Sequence, residues 1–225
     1  MTEPLVENEK LVLQIIRDYL NKNRILDPES IIPFIQSRLR EASLYLNYYA
    51  IELILKSLLK KKLIVRASKL THDDILTNEK RKRIFNYIIE NPGTHFNRII
   101  SELKISNHVL VWHLNILLKF DFIKKEIIDD HDTYTAPDID IRTTELSYYI
   151  SKKNSQKIIS YLKKNDIGVS KTKLSVDLQM HINTINKYLN ILEDYKIVLK
   201  ERHSKKQLYF LNDDLPKEIR VLIIE

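Results

Sequence analysis

The segment that decides the fold reads SNHVLVWHLNILLK over residues 106–119. Leu110, Leu114 and Leu117 recur in it at intervals of three and four residues, the spacing that places side chains on one face of an α-helix. Ser106 precedes them, and serine favours the start of a helix because its hydroxyl accepts a hydrogen bond from a free backbone N–H. The pattern predicts a helix over residues 106–119 with its leucines turned inward.

Two shorter helices are predicted upstream of this segment. Apolar residues at helical spacing indicate a first helix over residues 79–90, and Pro92 and Gly93 end it. Proline cannot continue a helix, and glycine accepts the left-handed conformation of a helix cap. A second helix is predicted over residues 97–103, and only a short turn separates it from residues 106–119.

The chain changes character after these helices. Residues 123–128 are rich in β-branched side chains, residues 129–132 form a polar turn, and residues 133–135 resume a strand-like composition. Two such runs around a polar turn predict a β-hairpin. Three helices followed by a hairpin is the arrangement of a winged helix-turn-helix, a mainly α fold with a small β-hairpin wing.

The same pattern recurs downstream. The sequence LNIL occurs at residues 114–117 and again at residues 189–192, and Gly93 and Gly168 each follow the predicted first helix of their copy. Similarity at a constant separation indicates a duplicated structural unit. We therefore predict helices over residues 154–164, 170–178 and 183–194, and strands over residues 197–202 and 207–211.

A weaker copy precedes these two. Residues 55–60 align with residues 114–119, but no convincing return strand follows residues 63–66, so the wing of this copy is expected to be short or missing. The predicted fold is a tandem array of winged helix-turn-helix domains. Its helices in the first copy lie near residues 7–20, 28–39 and 47–61, and its domains are residues 1–74, 75–145 and 146–225.

The composition bears on partners and compartment. The 225 residues include 37 basic and 30 acidic side chains and no cysteine. Residues 146–225 carry 15 basic and 9 acidic side chains, so most of the net charge of +7 lies there. Without cysteine there are no disulfides, thiolate zinc sites or cysteine nucleophiles, which fits a reducing cytosol.

Other classes of function find no support in the sequence. No signal peptide is evident, and the longest apolar run, residues 221–224, is far too short for a membrane span, so we expect a cytoplasmic protein. Two glycines exclude a glycine-rich phosphate loop. The spacing of the seven histidines favours no metal site, and no nucleophile stands beside a base. We expect a non-enzyme with no cofactor and no metal.

Residues 106–123 resemble the winged helix regulators of the ArsR/MarR type, above all the tandem versions found in archaea. The resemblance rests on the capping Ser106, on His113 and the leucine after it, on Leu117, and on the apolar pair at residues 122–123. The chain departs from the family pattern at Asp121, where glycine is usual. The metal-sensing cysteines of some members are absent, so metal sensing is not implied. The resemblance implies transcriptional regulation by binding double-stranded DNA, at the nucleoid.

In this family the third helix enters the major groove with the face opposite its leucines. The wing of the last copy, which is basic, is expected to contact phosphates. The implied DNA contacts are Ser106, Asn107, His108, Val109, Trp112 and His113 in the middle copy, Asn183, Thr184, Lys187, Tyr188 and Asn190 in the last helix, and Arg202, His203, Lys205 and Lys206 in the last wing.

Two features leave alternatives open. Trp112, the only tryptophan, lies off the leucine stripe, and packing against a neighbouring domain or a dimer partner is as good an interpretation as DNA contact. Asp129, Asp130 and Asp132 make the middle wing acidic, which opposes phosphate binding. Either that wing stays off the DNA or the middle domain binds something else.

The alternative function is a protein-assembly module comparable to the tandem winged helices of ESCRT-type complexes. A cluster of Tyr45, Tyr48 and Tyr49 favours a protein partner for the first domain. A homodimer is expected for a DNA-binding protein because paired half-sites need a two-fold axis. Residues 219–224 are apolar enough for such an interface, although core packing explains them equally well.

Overall fold

The computed structural model describes residues 5–22, 25–203 and 206–215. The chain divides into two compact units. The first unit comprises Met1–Glu90 and Asn97–Lys125, and the second comprises Asn91–Phe96 and Glu126–Glu225. Both units consist of helices with short connections, and the second also holds two small antiparallel sheets. The expected mainly α fold with small hairpins is confirmed. The three-domain division stays a prediction.

The first unit begins with three helices that surround one apolar core. Asp27 and Asn47 cap the second and third of them, each accepting a hydrogen bond from a backbone N–H three residues ahead. These caps fix where the helices begin. The helices are α1 (Glu7–Lys22), α2 (Pro28–Glu41) and α3 (Tyr48–Lys60), and the core includes Val12, Ile16, Ile31, Ile35, Ile51 and Leu58.

The chain after α3 forms a single β-bridge in place of a full wing. An isolated antiparallel bridge joins Ile64 to Thr71, and a 3₁₀-helix follows over His72–Thr77. Thr71 opens this 3₁₀-helix, where its backbone N–H donates to the Asp74 carboxylate at 2.8 Å. Within the described part of this region no strand longer than the bridge is present, which confirms the expectation of a short or missing wing.

Three further helices complete the first unit. They are α4 (Glu79–Glu90), α5 (Phe96–Leu103) and α6 (Asn107–Lys119), and α4 packs against α6. Their bounds differ from the predicted ones by no more than a residue, because the caps and apolar spacing are strong local signals. Ile84, Ile88 and Leu110 are buried, as the helical periodicity requires.

The second unit contains a three-stranded sheet that the sequence only partly predicts. The strands are β1 (Thr94–His95), β2 (Lys124–Ile128) and β3 (His131–Thr135), in the order β1-β3-β2. The predicted four-residue turn over residues 129–132 is wrong. Asp129 and Asp130 alone make the turn, with φ of 52° and 61°, because two left-handed residues close a hairpin tightly.

Strand β1 and the helix after the hairpin were not predicted. Gly93 precedes β1 with φ of +76°, and its N–H donates to the Tyr134 carbonyl at 3.0 Å. Helix α7 (Ile141–Ile150) begins after Asp140, whose carboxylate accepts a hydrogen bond from the Thr143 N–H at 3.0 Å. Strand β1 and α7 are in contact.

The rest of the second unit follows the predicted order closely. Its helices are α8 (Lys153–Lys163), α9 (Lys171–Asp177) and α10 (Ile182–Asp194), and its hairpin is β4 (Val198–His203) with β5 (Lys206–Leu211). The backbones of Val169 and Tyr209 form a bridge beside this hairpin, much as β1 pairs with β3. The core includes Ile158, Leu162, Leu174, Ile185, Leu189, Leu192 and Tyr209.

The same left-handed turns recur along the chain without glycine. A residue with positive φ follows each second helix, and another follows each third helix. This explains the departure at Asp121, which has φ of 63° where the resembling family uses glycine. The turns after the second helices hold Ser43, Lys104 and Gln179, and those after the third helices hold Lys62, Asp121 and Lys196.

Two expectations concern membrane spans and the carboxyl-terminal segment. Over the described ranges, no helix combines the length and the apolar character needed to cross a bilayer. The suggested role of residues 219–224 in a dimer interface falls outside the described residues.

Candidate nucleic-acid interface

Helix α6 has an open face opposite its leucines. Asn107, His108 and Trp112 lie on it, as predicted, and Ser106 is exposed at its start. Asn115 is exposed on the same face, and so is Val111, which is 45% exposed. These last two were not among the predicted contacts, although their spacing of four and eight residues from Asn107 places them there.

One predicted contact on α6 does not belong to this face. His113 is only 3% exposed, so the expectation that it contacts DNA is corrected. It stands directly before Leu114 and three residues after Leu110, and this position turns its ring inward. Burial lowers the pKa of His113, and the charges of Arg81 and Lys80 lower it further. Val109 is half-buried at the edge of the face.

Trp112 packs against α4 within the first unit. The guanidinium of Arg81 lies 5.4 Å from the centroid of the indole, a cation–π contact. Arg81 is buried, and its Nη1 donates to the Ile75 carbonyl at 2.8 Å. Burial lowers the pKa of Arg81. Since Trp112 remains 52% exposed, one side of the indole is supported by the chain and the rest is open to a partner.

Helix α10 presents a polar stripe within the second unit. Asn183, Lys187 and Asn190 are exposed, whereas Thr184 and Tyr188 are half-buried beside them. The inward face holds Ile185, Leu189 and Leu192, all buried. The stripe is therefore open to solvent at Asn183 and Asn190 and partly open at Lys187, and an open outer face is what a groove-binding helix requires.

Lys187 has a partner from the middle hairpin. Its Nζ donates to the Asp129 carboxylate, at 3.1 Å from Oδ1 and 3.4 Å from Oδ2. The two side chains are 51% and 35% exposed, respectively. The hydrogen bond and the charge of Asp129 raise the pKa of Lys187. One carboxylate of the acidic hairpin, that of Asp129, is therefore paired with a cation of the same unit.

The tip of this hairpin rests on α7. The Tyr148 hydroxyl and the His131 Nδ1 are 3.3 Å apart, within hydrogen-bonding distance. Burial, with a further contribution from Asp129, raises the pKa of Tyr148 to about 12, so the phenol keeps its proton. The Lys152 Nζ lies 3.9 Å from the centroid of the Tyr148 ring. Tyr148 is fully buried and forms a rigid support for the tip.

The described residues of the last wing include exposed basic side chains on both strands. Arg202 and Lys206 are exposed on β4 and β5, and His203 pairs with Lys206 in the hairpin register. Lys205 and the side chain of His203 lie outside the described residues. Lys200 is nearer to the helices, 3.7 Å from the Glu193 carboxylate.

A further basic surface was not predicted from the sequence. Lys153, Lys157 and Lys164 are exposed on or just after α8. Their spacing of four and eleven residues places them on one side of the helix. No cluster of metal-binding side chains occurs among the residues that the structure describes.

The comparisons with known proteins agree with this geometry. Residues 78–145 match the family model described as HTH_HVO_0163_N, N-terminal HTH domain. The match thus extends from the start of α4 into α7. The chain is also similar to an uncharacterized HTH-type transcriptional regulator, MJ1398, of Methanocaldococcus jannaschii, with 29% identity over 155 residues. The match spans 69% of this chain and 39% of that relative's length. The predicted resemblance to archaeal helix-turn-helix regulators is confirmed.

Proposed function

We propose that this protein is a non-enzymatic transcriptional regulator that binds double-stranded DNA. The observation that carries the proposal is the same in α6 and α10. Each helix buries a row of aliphatic side chains and leaves the opposite face, which carries asparagines, open to solvent. A helix of this kind, placed third in a winged helix-turn-helix, is the element that enters the major groove.

The open face of α6 carries little charge, and its side chains are suited to recognising base edges. The amides of Asn107 and Asn115 suit the edge of adenine, where one amide both donates and accepts. Val111 offers an apolar contact for a thymine methyl group. Trp112, supported by Arg81, borders this face. We infer that the middle domain contributes sequence preference more than affinity.

Helix α10 and the last wing supply affinity. Asn183 and Asn190 flank Lys187 on the open stripe, and Arg202 and Lys206 extend the positive charge onto the hairpin. Cations that neutralise phosphates release condensed counterions and so strengthen binding at low salt. Lys205, beside Lys206 in the sequence, is part of the same proposed surface. The exposed lysines of α8 add to the charge of this domain.

Binding to random duplex DNA tests this function. We expect fluorescence anisotropy of a labelled duplex to show an affinity whose logarithm falls linearly with the logarithm of salt concentration. Replacing Lys187, Lys205 and Lys206 together with alanine should weaken binding and reduce the slope by about two to three units, at roughly 0.9 per phosphate contact.

A matched variant controls for net charge. Lys22, Lys60 and Lys69 are exposed lysines of the first unit, and replacing these three with alanine removes the same charge elsewhere. We expect this control to bind nearly as the parent does. Equal affinity of the two triple variants would reject the proposed surface.

A second candidate, a protein-assembly role for the first three helices, rests on a different observation. Tyr45, Tyr48 and Tyr49 are 82%, 58% and 65% exposed around the start of α3, and Leu44 and Leu53 are about half exposed near them. Large exposed apolar patches mark interaction sites. Sedimentation velocity of the pure protein, with a Tyr45→Ser, Tyr49→Ser variant as control, tests whether this patch forms the proposed homodimer. A monomer at all concentrations excludes that use.

A further inference from the structure

The ion pair of Asp129 and Lys187 joins two elements with opposite expected roles. Asp129 lies at the tip of the hairpin between β2 and β3, and Lys187 lies at the centre of the open stripe on α10. Both belong to the second unit. The stripe is the proposed major-groove surface, and Lys187 is its only cation among the described residues of α10 that face outward there.

The carboxylate offers Lys187 a contact of the kind that DNA would offer. Both oxygens of Asp129 lie within 3.4 Å of Nζ, and a phosphate group likewise presents two unesterified oxygens to an ammonium. One negative group therefore already holds the cation that a phosphate would need.

The carboxylate is held in place by the fold. Its residue is the first of a two-residue turn whose backbone is left-handed at both positions. The next strand begins at His131, which contacts the buried Tyr148 of α7. A positioned carboxylate loses little conformational entropy when it pairs, so it competes better than a side chain on a long mobile loop.

Lys187 itself is not enclosed. Half of its side chain is exposed, and its four-carbon stem lets the ammonium move several ångströms without any change in the backbone. Exchange of one anion for another at Nζ therefore requires only side-chain rotation.

We propose that Asp129 is a built-in competitor of DNA, which occupies Lys187 in the free protein and which a phosphate has to displace when the duplex binds. The inference rests on the proposed DNA-binding function and concerns regulation of that same surface. The acidic middle hairpin then restrains the last recognition helix, and its charge weakens binding to any duplex that cannot provide compensating base contacts.

Two isosteric substitutions test the inference. Asp129→Asn removes the partner of Lys187, and Asp130→Asn removes the same charge from the neighbouring turn position. Asparagine tolerates the left-handed conformation of both residues, so the hairpin is preserved. We expect Asp129→Asn to bind a random duplex about two- to fivefold more tightly than Asp130→Asn at low salt, the range of an exposed ion pair.

A double-mutant comparison separates the pair from general repulsion. In a Lys187→Gln background the competitor has nothing to occupy, so Asp129→Asn and Asp130→Asn are expected to raise affinity equally there. A surviving advantage of Asp129→Asn in that background would contradict the mechanism.

The outcomes distinguish this inference from the proposed function. If the parent protein binds duplex and the two asparagine variants bind equally, the competitor does not exist although the function stands. If the parent binds duplex poorly and Asp129→Asn binds it well, the DNA-binding function and the competition by Asp129 are both supported. If the parent and every variant fail to bind at low salt, the proposed function falls and the competitor falls with it.

Discussion

Arg81 and Trp112 form a pair in which a buried guanidinium supports an indole that is half open to solvent. The guanidinium carbon lies 5.4 Å from the ring centroid. Arg81 also donates a hydrogen bond to the Ile75 carbonyl. The contact joins α4 to the outer face of α6. It fixes the position of the only tryptophan at the border of the proposed DNA surface.

The emission of Trp112 is expected to report on DNA binding. Because the chain has one tryptophan, a change in emission on adding duplex comes from that position. We expect quenching that saturates at the same DNA concentration as the anisotropy change, because the exposed part of the indole would lie beside the duplex in the proposed complex. Binding by anisotropy with unchanged emission would show that α6 stays off the duplex.

Glu9→Gln is expected to destabilise the first helical core. Glu9 is buried and accepts hydrogen bonds from Lys61 Nζ at 2.9 and 3.0 Å and from Ser57. Removing a buried, charge-assisted partner costs about 2 kcal/mol in the free energy of unfolding at neutral pH. Urea unfolding measures this, with the exposed Glu7→Gln as control. Equal midpoints for the two variants would contradict the assignment.

The same carboxylate contributes to acid stability. The hydrogen bonds from Ser57 and Lys61 lower the pKa of Glu9 in the folded state. Stability from this group is therefore present above its unfolded pKa of about 4.3 and is lost as the pH falls towards the lower folded value. Glu9→Gln is expected to flatten the pH dependence of unfolding below about pH 4.5. An unchanged slope in that range would refute it.

His113 is expected to lower the stability of the fold as the pH falls below about 6.5. Burial lowers its pKa in the folded state, so the unfolded chain binds the proton more readily. Its contribution is complete above the unfolded pKa of about 6.5 and is lost as the pH falls below that value. His113→Leu should reduce the loss of stability just below pH 6.5, and His108→Leu, a substitution at an exposed position of the same helix, is the control. Thermal unfolding of the parent and of both variants across this pH range measures the difference.

Gly93→Ala is expected to be more harmful than Gly168→Ala. Both glycines have φ near +76°, so both substitutions are strained by a left-handed backbone. A Cβ at Gly93 would meet the Thr144 carbonyl oxygen at 2.5 Å, a backbone atom that cannot turn away. At Gly168 it would meet the ring of Phe210, which is a side chain. We expect a loss of about 3 kcal/mol or more at Gly93 and about 1–2 kcal/mol at Gly168 by urea unfolding. The reverse order would contradict this account.

The helices were predictable because their signals are local. The leucines of α6, its capping serine and the helix-ending Pro92 and Gly93 lie within a few residues of the features they specify. The two-residue strand β1 has no such signal, since its pairing with β3 depends on residues about forty positions away. The left-handed turns after the helices could not be predicted for another reason. Asp121 takes a left-handed conformation without being glycine, so composition does not reveal it.

The candidate site was less predictable than the fold. The open stripe of α10 follows from periodicity, and so does the outer face of α6 once Asn115 is counted. The buried position of His113 follows from its spacing to Leu110, but the polar chemistry of histidine favoured the open face instead. The ion pair of Asp129 with Lys187 joins residues 58 positions apart, and no pattern within either segment indicates it.

The turn between β2 and β3 has a consequence for how such a protein diverges. Left-handed backbone at Asp129 and Asp130 is adopted readily by aspartate, asparagine and glycine. Aspartate and asparagine have nearly the same shape and differ by one unit of charge. Mutation can therefore raise or lower the charge of the tip stepwise while the hairpin stays the same. Related proteins can therefore differ in the charge of this turn with little effect on folding.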